Sequence, residues 1–70
     1  MNTKLKGYRT MAGFTQEELA KLLGISRLSF ILKENGERRF TGSQEETIFA
    51  LLKEKLPDLT MEEVFPVELE

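Results

Sequence analysis

A chain of 70 residues, 40% apolar and 31% charged, fits one globular domain, and a domain this small hides only roughly 60% of the surface its unfolded form exposes. Cysteine and histidine are both absent, which removes disulfides, Cys nucleophiles, the usual zinc ligands and the imidazole base, so the protein is not expected to be an enzyme. The net charge of −2 conceals a division: residues 1–40 hold eight of the ten Lys/Arg against four Glu, a net of +4, whereas residues 41–70 hold two Lys against eight acids, a net of −6. A basic half is what a phosphate backbone would meet.

In chain order, Leu5, Tyr8 and Ala12 recur at helical spacing, which predicts a first helix from about residue 4 to 11 that stops at Gly13. Phe14 enters the core as the chain turns. Thr15-Gln-Glu-Glu18 is a capping box that starts a second helix, 15–23, with Leu19, Ala20 and Leu23 turned inward and Gly24 at its end. Ser26 then caps a third helix, 26–35, which Asn35-Gly36 ends. After a polar loop plugged into the core by Phe40, Ser43-Gln-Glu-Glu46 and Thr60-Met-Glu-Glu63 read as two further capping boxes. They predict a fourth helix over 43–55, with Ile48, Leu51, Leu52 and Leu56 inward and Pro57 as its stop, and a fifth over 60–64. Residues 66–70 form a tail, extended or frayed. The expected fold is all-α, a compact bundle of five short helices in a single domain, 1–70.

No 18-residue apolar span exists, and the opening "MNTKLKGYRT" lacks the apolar run of a secretory signal, so a cytoplasmic location without membrane contact is expected. No Gly-rich phosphate loop follows a strand, and no cofactor or small-molecule ligand is inferred.

Helix, very short turn, helix, within "TQEELAKLLGISRLSF", is the core of a helix-turn-helix. Ala20 is small where two helices would cross, Gly24 permits the sharp turn, and Ile25 anchors it. The same pattern also fits an ordinary helical hairpin of a bundle. Thr15-Gln16, Ala20, Gly24-Ile25-Ser26-Arg27 and Glu34-Asn35-Gly36 together resemble the phage Cro/repressor (XRE-type) helix-turn-helix family, over nearly the whole chain from Lys4 to Phe65. In detail, "LKGYRTMAGFTQEELAKLLGISR" and "LKENGERRF" resemble the small regulators carried by phages and mobile elements of Gram-positive bacteria.

That resemblance implies a lambda-repressor-like DNA-binding domain acting as a transcriptional regulator on a double-stranded operator; for such a reader a homodimer is expected, since two reading helices one helical turn apart multiply specificity. Gln16 matches a residue that touches a phosphate or a base edge, although a first-turn Gln is also compatible with simple solvation. Ser26, Arg27, Leu28 and Ser29 match the first turn of the recognition helix, and Leu32 the next reader one turn on. Arg27 suits guanine O6 and N7 or, equally, a phosphate. Asn35, Arg38 and Arg39 match the loop that grips the phosphate backbone, where Glu37 replaces the frequent Lys or Arg and weakens the grip. Arg9 and Glu34 match positions that pair across helices one and three, a structural ion pair. Phe49, Met61, Val67 and Leu69 are candidates for a dimer surface, with core packing as their plainer role.

The third helix is unusually apolar for a reader of DNA. Stepping about 100° per residue, Arg27, Lys33 and Glu34 fall within about 60° of Phe30, while Leu28 and Leu32 fall opposite and Ile31 to the side. Phe30 is thus the core anchor, Ile31 could pack under the fourth helix, and the stem of Lys33 could cover core surface. Three explanations of the leucines stay open: a rotated helix that buries all of Leu28, Ile31 and Leu32, contact with thymine methyl groups, or an apolar patch that binds a protein on the same fold in the manner of an antirepressor.

Overall fold

The computed structural model describes residues 4–66. Among them there are five helices and no strand: α1 (Leu5–Ala12), α2 (Gln16–Leu23), α3 (Arg27–Glu34), α4 (Gly42–Lys55) and α5 (Met61–Val64). The all-α bundle read from the sequence is therefore observed, with α2 and α3 packed together as a helix-turn-helix requires.

Four of the helices begin where a side chain takes up their orphan amides. The Thr15 hydroxyl accepts the Glu18 N–H at 3.0 Å and the Glu18 carboxylate accepts the Thr15 N–H at 2.8 Å, the capping box read from the sequence. Ser26 caps α3 through its hydroxyl, 3.1 Å from the Ser29 amide. Thr60 and Glu63 close the same box at α5.

The start of α4 corrects the sequence reading. Thr41 is the cap, not Ser43, with Gln44 completing the box, and Gly42 and Ser43 are already helical. The cap directly follows buried Phe40, and Lys33 Nζ also donates to Gln44 Oε1 at 2.8 Å.

Three turns place a glycine in the left-handed region: Gly13 (φ 85°) ends α1, Gly24 (φ 72°) ends α2 and Gly36 (φ 87°) follows α3. At the latter two the Ile25 amide reaches back to the Ala20 carbonyl and the Glu37 amide to the Leu32 carbonyl, which satisfies carbonyls in the last turns of α2 and α3. Asn35, expected to share this duty, keeps an ordinary right-handed conformation.

The core gathers Leu5, Leu19, Ala20, Phe30, Phe40, Ile48, Leu52, Leu59, Val64 and Phe65. Tyr8, Ala12, Phe14, Leu23, Ile25, Leu51 and Leu56 pack against it from its margin, in agreement with the inward stripes. Phe40 stands edge-on to both Phe30 and Phe65, with ring centroids 5.7 Å apart in each pair. Phe65 is thus a core residue. Phe49 and Met61 also lean on the core, whereas Val67 and Leu69, with the rest of 67–70, lie outside the described residues.

Candidate nucleic-acid interface

The orientation of α3 is fixed from behind. Phe30 is fully buried, and Glu34, one turn later on the same side, is 5% exposed. Its carboxylate is held side-on by Arg9, with Nε 2.6 Å from Oε2 and Nη2 3.4 Å from Oε1. Arg9 Nη1 donates in addition to the Phe14 carbonyl at 2.7 Å. The ion pair expected between Arg9 and Glu34 is present, and it ties α1, the α1–α2 turn and α3 into one frame. A planar guanidinium suits this arrangement because its donors diverge in a fixed fork.

Gln16 adds a third strut that the sequence did not disclose: its Nε2 donates to Glu34 Oε1 at 2.8 Å. A carboxylate has more lone pairs than a side-on guanidinium fills, and that surplus was the available signal. The bond turns the half-buried Gln16 amide toward the last residue of α3, and Gln16 and Arg27 line one open hollow with Thr15 and Glu17. The helical-wheel position of Arg27 suggested the core side, yet in the first turn of α3 the residue is exposed and lines the same hollow as Gln16.

Leu28 stands 66% exposed on the opposite face, while Ile31 and Leu32 are half-buried outside the core cluster. A rotated α3 with all three residues in the core is therefore excluded. Nor is Ile31 among the side chains packed on the core; the link from α3 to α4 is made by Lys33, whose Nζ also lies 5.9 Å from the Phe40 ring centroid. Ser29 is half-buried, and Ser26 is exposed with its oxygen engaged in the cap.

Asn35, Arg38 and Arg39 are exposed beyond the C-terminal end of α3, as is Glu37. Among the described residues, no carboxylate lies at ion-pair distance from Arg27, Arg38 or Arg39. From α2 through α3 to this loop the surface accordingly carries three exposed guanidiniums with no carboxylate at ion-pair distance among the described residues, and two large exposed apolar side chains, Leu22 and Leu28. Among the described residues there is no group of three side chains able to hold a metal ion, and no helix long and apolar enough to cross a membrane.

The fold and this surface define a helix-turn-helix bundle with an outward-facing third helix. The chain is similar, at 51% identity over 37 residues, to an uncharacterised helix-turn-helix-type transcriptional regulator of Methanocaldococcus jannaschii. The similarity covers 53% of this chain and 56% of that protein. No family model and no solved structure matches the chain.

Proposed function

We propose that this chain is a single helix-turn-helix domain, 1–70, that binds double-stranded DNA as a transcriptional regulator and lays α3 in the major groove of an operator. The observation that carries the proposal is the two-sided α3: Phe30 and Glu34 fix one side in the fold, Leu28 stands exposed on the other, and Arg27 beside it is exposed in the same first turn. The name of the archaeal relative supports the same role. Arg27 and Gln16, with Ser26, Leu28, Ser29 and Leu32, form the face toward the bases, and Asn35, Arg38 and Arg39 hold phosphates, which supply affinity rather than sequence information. The resemblance to phage Cro/repressor proteins makes a phage or mobile-element regulator in the cytoplasm the specific form of this proposal.

A homodimer belongs to it, since two reading helices one DNA turn apart multiply specificity. The surface around α4 and α5, where Phe49 and Met61 are half-buried, is available for that contact. Sedimentation at micromolar concentration tests it: a monomer removes the dimer for the isolated domain.

Selection from random duplex DNA at two salt concentrations tests the main reading. Enrichment of one site, diminished at the higher concentration, is expected; unenriched pools at both would reject DNA recognition. Exposed Leu28, with Leu22 also 56% exposed on α2, favours a second reading, a protein-interaction module on the same fold. In that case Leu28→Ser with Leu32→Ser abolishes partner capture, and unchanged capture counts against it.

A further inference from the structure

The first turn of α3 combines one exposed guanidinium, Arg27, with one exposed isobutyl group, Leu28, and little else of comparable reach. Ser26 has its oxygen committed to the Ser29 amide, and Ser29 is half-buried, so neither provides a long polar arm beside Leu28. Leu28 therefore decides what kind of surface this turn can meet.

Base edges in the major groove are donors and acceptors, with one exception: the methyl group on C5 of a pyrimidine. An isobutyl group set against N4 of cytosine or against O6 and N7 of guanine strips water from them and offers no hydrogen bond in return. Set against a C5 methyl it buries apolar area on both sides. The surroundings favour a DNA occupant for this apolar spot, because Arg27 precedes it and Arg38 and Arg39 follow the same helix, all exposed and without carboxylate partners among the described residues.

Resting on the DNA-binding reading above, we propose that Leu28 reads the 5-methyl group of a pyrimidine in the major groove, next to the base or phosphate that Arg27 contacts. Two bases carry that group, thymine and 5-methylcytosine. Leu28 thereby selects a methylated pyrimidine and discriminates against unmethylated cytosine at the same position.

The test uses the whole chain and a duplex obtained by selection. Each thymine is replaced in turn by deoxyuridine, which removes the methyl and nothing else, and each cytosine by 5-methylcytosine; affinities are measured for the wild type and Leu28→Ala. If thymine is the target, one deoxyuridine position per half-site weakens wild-type binding about fourfold, the scale of one buried carbon, while Leu28→Ala is indifferent to the change. If 5-methylcytosine is the target, methylation at one cytosine strengthens wild-type binding by a similar factor and again leaves Leu28→Ala indifferent. A wild type that binds the duplex but ignores both substitutions overturns the role of Leu28 and leaves DNA binding standing. Sensitivity that persists in Leu28→Ala assigns the methyl contact to another residue and also overturns it. Absence of any binding to selected DNA overturns this inference together with the reading beneath it. The modified-DNA measurements on the wild type do not depend on the folding of a variant.

Discussion

Arg9 and Glu34, 25 residues apart in the chain, meet through a buried pair whose closest approach is 2.6 Å, and Gln16 joins them on Oε1, the oxygen that Arg9 Nη2 reaches only at 3.4 Å. The pair fixes the angle at which α3 leaves the core, and the same carboxylate sets the direction of the Gln16 amide. Removing one partner leaves a buried charge without compensation. Glu34→Leu is expected to cost about 3–5 kcal/mol in urea denaturation, and Arg9→Met with Glu34→Leu to recover most of that loss. A single variant within about 1 kcal/mol of wild type would show that the pair is not a structural strut.

The two faces of α3 should separate stability from the proposed recognition. Phe30→Ala should destabilise by about 3–5 kcal/mol, because it opens a hole beside Phe40. Leu28→Ser should stay within about 0.5 kcal/mol, since little of the side chain is removed from water. Thermal melts of the two variants check both figures, and a large loss for Leu28→Ser would place that residue in the fold.

The corrected start of α4 makes a sharp comparison between neighbours. Thr41→Ala should cost about 1 kcal/mol, the worth of an N-cap. Ser43→Ala should be neutral or slightly stabilising, because Ser43 is already inside the helix and alanine is the better helix former. Equal costs at the two positions would contradict the observed cap.

Acid should loosen α5 first. The backbone N–H of Thr60, then its hydroxyl, holds the Glu63 carboxyl below its ordinary value of 4.5. The unfolded chain therefore takes up this proton more readily, and the stabilisation is complete above 4.5 and fades as pH falls through the lowered folded value. Burial pushes Glu45 the other way, so its ionisation cost is relieved in acid. Stability titrations below pH 4.5 should decline more steeply for wild type than for Glu63→Gln, and parallel curves would remove Glu63 from the balance.

Much of the fold is legible in the sequence because capping chemistry is local. Thr15 with Glu18, Ser26, and Thr60 with Glu63 mark helix starts by residue type and spacing alone, and the stripes of α1, α2 and α4 give their inward faces. Thr41-Gly-Ser-Gln44 fits the same box, but the overlapping Ser43-Gln-Glu-Glu46 fits it too, so residue type and spacing alone do not choose between them. Leu59, Val64 and Phe65 enter the core without a sequence signal, since segments this short after Pro57 carry no periodicity. At the candidate interface, the wheel separates Phe30 from Leu28 correctly. It does not show that Gln16 is held by Glu34 from another helix, nor that Arg27 is exposed beside Gln16, because both depend on how α2 and α3 are packed.

The most direct test of the proposed role is the salt dependence of binding to a selected duplex. Wild-type affinity is expected to fall linearly on a log–log plot, with a slope of about −0.9 for each phosphate neutralised, and Arg38→Ala with Arg39→Ala should flatten that slope by about 0.9 for each phosphate they leave unneutralised. Leu28→Ala should weaken binding without changing the slope. No binding at low salt, or an affinity that is the same at low and high salt, would contradict a protein that holds DNA through this surface.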